Sequence, residues 1–203
     1  MKISIISGSH RDPSQSMKVA KVIEMMLLNG ICDEVNIVSL ANNPIPLWDS
    51  GVWDGEERWQ TLLTPYREQL SSSDGFVVIS PEWHGQVPAG LKNFFLLFSK
   101  NELGHKPALI VTVSSGDGGS YPVAELRMSS YKNNRLCYIP EHVIIRNVEQ
   151  VLNESVSDNN EESDSYYRER LTWALKILSE YARALNQVRA SNVTQTEKFG
   201  NGM

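Results

Sequence analysis

The sequence predicts an α/β fold: a doubly wound, five-stranded parallel sheet of order 2-1-3-4-5 with helices on both faces. Three observations support this prediction. Short β-branched runs alternate with longer segments of helical periodicity, the pattern of βαβ units. The central runs are continuously apolar, as strands covered on both faces should be. The chain has 203 residues, which suits a single domain with one core.

The elements follow in order along the chain. Residues 3–6 form the first predicted strand, and residues 16–28 carry apolar side chains at helical spacing. The other predicted strands are 34–40, 76–79, 108–113 and 143–145. The other predicted helices are 56–71, 88–98, 123–133 and a long last helix with an apolar stripe from Leu171 to Leu185. Five strands and five helices fit a flavodoxin-like domain, which we expect to span residues 1–190 before a flexible tail at 191–203.

Composition excludes several classes of protein. Lys and Arg number 19 against 24 Asp and Glu, and the net charge of −5 argues against nucleic acid as the main partner. No apolar run is long enough for a membrane span, and the N-terminus has no signal-peptide pattern. Cys32 and Cys137 form no zinc or redox motif, and the four histidines suggest no metal set. We therefore expect a cytoplasmic protein without a metal.

One acidic segment has two interpretations. Residues 149–165 hold six Asp or Glu residues and no Lys or Arg. The segment is either an acidic docking site or a solvated linker that places negative charge at the start of the last helix. We favour the linker, because runs of charge are commonly solvated.

Ligands of open parallel sheets bind beyond the carboxyl ends of the strands, where the strand order reverses. The loop after the first strand is rich in hydroxyls and carries one guanidinium. Hydroxyls, a positive fork and the free N–H groups of a helix start together bind phosphate. Neither a Walker A loop nor GxGxxG is present, and a polar turn with an N-cap serine is the structural alternative. The candidate residues are Ser9, Arg11, Ser14 and Ser16.

Two further loops fall at the same sheet edge. The loop after the third strand combines an aromatic, an imidazole and a glycine, which suit a planar heteroaromatic ring. The loop after the fourth strand has three glycines in four positions, which let backbone N–H groups approach a ligand. Taken singly, these residues also fit a core aromatic, a turn histidine and a flexible surface loop. The candidates are Pro81, Glu82, Trp83, His84 and Gly85 in the first of these loops and Ser114, Ser115 and Gly116 in the second.

Taken together, the three loops resemble the NAD(P)H-dependent FMN reductase family, which includes quinone, chromate and azo-dye reductases. The resemblance covers about residues 1–148. The family usually has Tyr where Trp83 stands and commonly Asn at His84, differences that concern the shape of the substrate more than the cofactor. The matching pieces are Gly8-Ser9-His10-Arg11 with Ser14 and Ser16, Pro81 to Gly85 with Gly90-Leu91-Lys92-Asn93, and Ser114 to Gly119 with Glu125-Leu126-Arg127.

The resemblance implies FMN as cofactor, NADPH or NADH as reductant, and a small acceptor such as a quinone, flavin, azo compound or metal oxyanion. It implies that Ser9, Arg11 and Ser16 hold the FMN phosphate, while the second and third loops border the ring. The cofactor supplies the chemistry, so we expect no catalytic side chain. A flavodoxin-type electron carrier and a flavin-free interaction module on the same fold are the alternatives.

A long predicted loop suggests self-association. Residues 42–59 include Trp48, Trp53 and Trp59, and exposed tryptophans are favoured anchors of interfaces. Dimers and tetramers are common in the family that the chain resembles. We therefore expect a homodimer or homotetramer, with the alternative that the tryptophans fold onto their own domain.

Overall fold

The computed structural model describes residues 1–202, and its centre is one parallel sheet. The strands are β1 (Lys2–Ser7), β2 (Glu34–Ser39), β3 (Gly75–Pro81), β4 (Pro107–Val113) and β5 (Cys137–Ile145). They pair in the order β2-β1-β3-β4-β5, and every pair is parallel. The predicted fold class is confirmed.

Seven helices connect and cover the strands within residues 1–202. They are α1 (Gln15–Leu28), α2 (Gly51–Asp54), α3 (Glu57–Ser71), α4 (Ala89–Leu97), α5 (Lys100–Leu103), α6 (Ser120–Ser129) and α7 (Glu161–Ala190). Two buried clusters lie on opposite faces of the sheet. One packs beneath α1 and α7, and the other beneath α3, α4 and α6. Neighbouring residues of β1 divide between them, because Ile5 belongs to the first cluster and Ile6 to the second. No helix in this part of the chain has the length and apolarity to cross a membrane.

The predicted start of the last strand and both predicted ends of helix α6 are wrong. The last strand begins at residue 137, not 143; as an edge strand it tolerates Pro140 and a register shift opposite β4. Helix α6 occupies 120–129, not 123–133, and Pro122 is accepted because it lies in the first turn. The hydroxyls of Ser129 and Ser130 bond to carbonyls of that helix at its end. Short helix α5 was not predicted.

The tryptophan-rich segment is only partly a loop. Helix α2 lies within it, and α3 begins at Glu57. Trp59 is 1% exposed, and its Nε1 donates to Asp49 Oδ1 at 3.0 Å. The expectation of a loop through residue 59 is therefore wrong, and Trp59 belongs to the protein's own core. Trp53, in contrast, is 79% exposed.

The acidic segment is also more structured than a solvated linker. Val148, Val151 and Leu152 are buried, and residues 161–165 are the first turns of α7. Asn160 caps that helix by accepting from Ser163 N. The acidic residues of its first turn do place negative charge at the helix start, as expected.

The chain after α7 bonds to the main body. Lys100 Nζ donates to the carbonyl oxygen of Thr196 at 2.7 Å, and Gly202 N donates to Asn133 Oδ1 at 3.1 Å. The predicted domain boundary at residue 190 and the flexibility of the tail stay predictions. Met203 lies outside the described residues.

Candidate functional site

The loops after β1, β3 and β4 border one cleft of about 490 Å³ at the carboxyl edge of the sheet. Ser115 and Val113 line it from the β4 side, and Val148 and Glu149 close it from the segment after β5. His84, Gly85, Ser114 and Gly116 are not in the lining, although they belong to the same loops. The other predicted residues in the lining are Ser9, Arg11, Ser14, Ser16, Pro81, Glu82 and Trp83.

At the start of α1, two backbone N–H groups and one buried side-chain hydroxyl have no hydrogen-bond partner within residues 1–202. Ser14 is the N-cap, and its Oγ accepts from Met17 N at 3.2 Å. The backbone N–H groups of Gln15 and Ser16 have no acceptor within residues 1–202. Ser16 is 1% exposed, and its hydroxyl has no hydrogen-bond partner. A buried hydroxyl of this kind is costly unless a ligand or water completes it, and the helix start favours an anion.

Two cationic side chains line the cleft, and only the charged group of Lys18 is hydrogen-bonded within residues 1–202. Arg11 N donates to Ser9 Oγ at 3.2 Å, while the guanidinium is exposed and has no bond or ion pair in the described part of the chain. Lys18 Nζ donates to the carbonyls of Val148 and Val151 at 2.6 and 2.8 Å and to Asn153 Oδ1 at 2.7 Å. Burial lowers the pKa of Lys18. Arg11 is therefore available to a ligand, and Lys18 holds the segment after β5 against α1.

The loop after β3 is a tight hairpin turn. Trp83 and Gln86 exchange backbone hydrogen bonds of 3.2 and 3.0 Å around His84 and Gly85. The φ angles of these two residues are +51° and +71°, as a type I′ turn requires. His84 is thus an exposed turn residue. The turn positions Trp83, which lines the cleft.

The Trp83 ring is positioned by an aromatic contact. His10 meets it edge-on, with ring centroids 4.4 Å apart and an interplanar angle of 68°. The Nδ1 atom of His10 is buried without a partner. The imidazole therefore joins the loop after β1 to the loop after β3. Nothing in the sequence predicted this contact, because the two residues are distant in the chain.

The carboxylates of Glu82 and Glu125 connect the loop after β3 to neighbouring segments of the chain. Glu82 Oε2 accepts from Gly119 N at 2.5 Å, and a Cβ added at Gly118 would lie 2.9 Å from Glu82 Oε1. Glu125 accepts from Val87 N at 2.7 Å and forms an ion pair with Lys92. Glu82 therefore serves to hold the loops after β3 and β4 together.

Arg146 and Asn147, which follow β5, donate hydrogen bonds to the glycine-rich loop after β4. Arg146 Nε donates to the carbonyls of Asp117 at 2.7 Å and Gly118 at 3.1 Å, and Asn147 N donates to the Gly116 carbonyl at 3.1 Å. Arg146 and Asn147 were not among the predicted residues. The N–H groups of Ser115, Asp117 and Gly118 have no acceptor among residues 1–202, so the loop retains free donors.

The glycines of this loop differ in what they require. Gly119 has φ of +105°, and a Cβ there would lie 2.5 Å from Ile144. A Cβ on Gly116 would meet nothing within 4 Å. The chain therefore needs glycine at Gly119 for backbone conformation and packing, whereas Gly116 has room for a side chain.

The chain is similar to proteins of known activity. The family model described as NADPH-dependent FMN reductase matches residues 1–150. An NADPH azoreductase from Bacillus sp. (strain OY1-2) is 26% identical over 147 residues, which are 71% of this chain and 76% of that protein. A quinone reductase from Escherichia coli (strain K12) is 33% identical over 120 residues, which are 57% of this chain and 61% of that protein.

Solved structures show the same fold. FerB, a flavoenzyme NAD(P)H:(acceptor) oxidoreductase from Paracoccus denitrificans, superposes with a TM-score of 0.70 at 18% identity, covering 90% of this chain and 97% of that one. An FMN-dependent NADH-azoreductase from Bacillus anthracis str. Ames Ancestor, in complex with FMN, gives 0.61 at 15% identity over 88% of this chain and 100% of that one.

The family match includes all three loops of the cleft together with Val148 and Glu149, which close it. It spans well over half of the chain, and it agrees with the resemblance seen in the loop motifs. The chain belongs to the NADPH-dependent FMN reductase family of oxidoreductases.

Proposed function

We propose that this cleft binds FMN and that the protein passes electrons from NADPH or NADH, through FMN, to a small acceptor. A quinone, flavin, azo compound or metal oxyanion is the expected class of acceptor. The observation that supports this most directly is the buried, unpartnered hydroxyl of Ser16 beside the free N–H groups of α1. These donors, with the Arg11 guanidinium, suit a phosphate.

The residues of the cleft fit the rest of FMN as well. A volume of about 490 Å³ is within the range of cofactor sites. The Trp83 loop offers a flat apolar wall, and the free N–H groups of the Ser115–Gly118 stretch can stabilise negative charge on a ring. Held by Arg11 and Ser16 at its phosphate and bordered by the Trp83 loop, FMN would supply hydride and electron transfer between the nicotinamide and the acceptor. The protein binds and orients both partners.

Two ionisable side chains of the cleft, Glu82 and Lys18, are committed to structural contacts. The carboxylate of Glu82 accepts from Gly119 N, and Lys18 donates to three oxygen atoms. Neither is free to transfer a proton without breaking the loop contacts that it makes. A reaction carried by the cofactor, with no side-chain acid or nucleophile, agrees with this arrangement.

The acceptor and the reductant are proposed to use one slot in turn. The site then follows ping-pong kinetics, with parallel lines in double-reciprocal plots of NADPH against quinone. Intersecting lines together with a ternary complex would rule out the shared slot.

Self-association through the tryptophan-rich segment is part of the proposal. Trp53 is 79% exposed and packs edge-on against Trp48, with centroids 4.6 Å apart. Leu47 beside them is 73% exposed. Trp48 N donates to Asn93 Oδ1 at 2.7 Å, which places the aromatic pair against α4. A homodimer or homotetramer would cover this surface, and a cytoplasmic location agrees with the free thiols of Cys32 and Cys137.

The visible spectrum of the purified protein with FMN tests the proposal. We expect a protein-bound flavin spectrum that NADPH or NADH bleaches and a quinone restores. A flavodoxin-type carrier would bind FMN but would not be reduced by nicotinamide alone. A flavin-free interaction module would show no bound flavin at all, and either result would contradict the proposed reaction.

A further inference from the structure

The segment that follows β5 forms one wall of the cleft. We call residues 148–153 the strap. Its first two residues, Val148 and Glu149, line the cleft together with the residues at the start of α1. The strap packs on the core beneath α1 and α7 through three apolar side chains that are each 1% exposed: Val148, Val151 and Leu152. It therefore covers the end of the cleft at which the free donors of α1 lie.

The far end of the strap is anchored to the start of α7. The Leu152 N–H donates to Asp164 Oδ1 at 2.7 Å, and the Asn160 N–H donates to the Gln150 carbonyl at 2.7 Å. Leu152 has φ of +57°, and Asn147, just before the strap, has φ of +48°. A leucine rarely adopts this conformation, so the surrounding contacts must hold it. The strap is thus a shaped segment that depends on its hydrogen bonds.

On the side of the cleft, one side chain connects the strap to α1. Lys18 Nζ donates to the carbonyls of Val148 and Val151 at 2.6 and 2.8 Å and to Asn153 Oδ1 at 2.7 Å. An ammonium has no further donor beyond these, so Lys18 is fully used by the strap. Within residues 1–202, no other residue of α1 hydrogen-bonds to the strap.

The charges around the strap make this lysine important for an anionic ligand. Residues 149–165 hold six Asp or Glu residues and no Lys or Arg, and the exposed Glu149 lines the cleft. Burial lowers the pKa of Lys18, and the negative charges of Glu149 and Asp164 oppose this shift. A phosphate at the start of α1 would repel Glu149 and attract Lys18. Lys18 therefore lets an acidic segment stay closed beside an anion.

We propose that Lys18 is a positioning residue that keeps the strap closed over the phosphate of bound FMN and so slows the release of the cofactor. Lys18 acts through the strap, because its three N–H groups already have acceptors there. The strap must open when FMN enters or leaves, since Val148 and Glu149 line the phosphate end of the cleft. The identity of the anion rests on the proposed function, whereas the closed strap is present without a ligand.

The rate of FMN release tests the proposal. Lys18→Met keeps an unbranched apolar side chain but removes the charge and the donors, and it should release FMN about tenfold faster. Riboflavin, which lacks the phosphate, should be released at nearly the same rate from both proteins. Stopped-flow dilution followed by flavin fluorescence measures both rates. Lys21→Met is the matched control, because Lys21 is exposed farther along α1, and it should behave as wild type. An unchanged FMN rate in Lys18→Met, or an equal gain for riboflavin, would overturn the proposal.

A second substitution separates the charge of Lys18 from its packing. Adding Glu149→Gln to Lys18→Met removes the carboxylate that repels the phosphate, so FMN release should become slower again by about threefold. A purely structural loss at residue 18 would not be relieved by this change. If Glu149→Gln leaves the release rate of Lys18→Met unaltered, the charge of Lys18 is not what keeps the strap closed.

Hydrogen exchange of the unliganded protein tests the strap without any flavin. The Leu152 and Asn153 N–H groups, which both have side-chain acceptors, should exchange faster in Lys18→Met than in wild type or Lys21→Met. The amides of β1 should keep their rates, which shows that the variant is folded. Unchanged exchange of the strap amides would overturn the role of Lys18. Wild-type protein that binds no FMN would instead contradict the proposed function, so the two failures are distinguishable.

Discussion

Two buried polar groups, one near each end of the sheet, differ in whether the folded chain supplies their hydrogen-bond partners. At the amino end, Lys106 is 6% exposed, and its Nζ donates to the carbonyls of Leu70, Ser71 and Glu102 at 2.8 to 2.9 Å. At the carboxyl end, Ser16 is 1% exposed, but its hydroxyl has no partner. The first group is fully hydrogen-bonded to oxygen atoms of the chain, whereas the second has no partner among residues 1–202, as expected of a group that binds a ligand.

This difference indicates that the contacts of Lys106 contribute to folding stability, whereas the groups without partners at the start of α1 are available for binding. Burial lowers the pKa of Lys106 to about 8, and the three carbonyls offset part of the cost of holding its charge inside the protein. They lie at the ends of α3 and α5, so the ammonium joins two helices to the sheet. The Ser16 hydroxyl and the Arg11 guanidinium, in contrast, make no hydrogen bond within residues 1–202. A change at Lys106 should therefore affect folding, and a change at the α1 start should affect binding.

The largest expected effect is on folding. Lys106→Met leaves three carbonyls without their donor and should lower the free energy of unfolding by about 3 kcal/mol. Urea denaturation measures it. Lys100→Met is the control, because that half-buried lysine donates to a single carbonyl, and its replacement should cost under about 1 kcal/mol. If the two variants lose the same stability, the amino end is not the anchor that the contacts indicate.

The next effect is on binding. Arg11→Ala removes the one uncommitted cation of the cleft and should weaken FMN binding by about 1.5–3 kcal/mol. Riboflavin, which lacks the phosphate, should bind equally well to both proteins. Fluorescence titration measures both affinities. Lys21→Ala removes the same charge farther along α1 and should change neither. An equal loss for riboflavin and FMN would show that Arg11 does not contact the phosphate.

A smaller change should act in opposite directions on folding and binding. Ser16→Ala removes a buried hydroxyl that has no partner, so the unliganded protein should keep its stability or gain up to about 1 kcal/mol. FMN binding should weaken by about 1 kcal/mol, because one donor to the phosphate is lost. Thermal unfolding with and without FMN measures both. A loss of stability in the unliganded protein would mean that the hydroxyl is satisfied without a ligand.

The smallest effect concerns the exposed tryptophans. Trp53→Ala should shift the dissociation of the oligomer to higher protein concentration while leaving the stability of the fold within about 0.5 kcal/mol, because the side chain is mostly exposed. Light scattering over a dilution series measures the shift. Trp59→Ala is the contrast, since that side chain is buried and its removal should cost about 3 kcal/mol of folding free energy. Equal dissociation for wild type and Trp53→Ala would make the Trp48–Trp53 pair ordinary surface.

Local chemistry allowed much of the fold and part of the site to be predicted. The strand segments of β1, β3 and β4 are dominated by apolar and β-branched residues, so their positions could be predicted from hydrophobicity. The cleft residues Ser9, Arg11 and Ser16 could be predicted because they follow β1 directly and open a helix. The assignments of cofactor contacts to individual residues stay predictions.

What could not be predicted depends on partners that are far apart in the chain. Lys18 bonds to residues 130 to 135 positions away, and His10 meets Trp83 only because β1 and β3 are neighbours in the sheet. Arg146 follows an edge strand whose start was itself misplaced, so its contact with the glycine-rich loop had no local signal.

The sequence by itself determined the sheet order, the edge of the sheet at which the cleft lies and the donors at the start of α1, because strand hydrophobicity and turn residues act over a few positions. Only the tertiary structure decided which polar groups were left without partners. Ser16 and Lys106 are both buried, and what separates them is whether the folded chain brings an acceptor within reach.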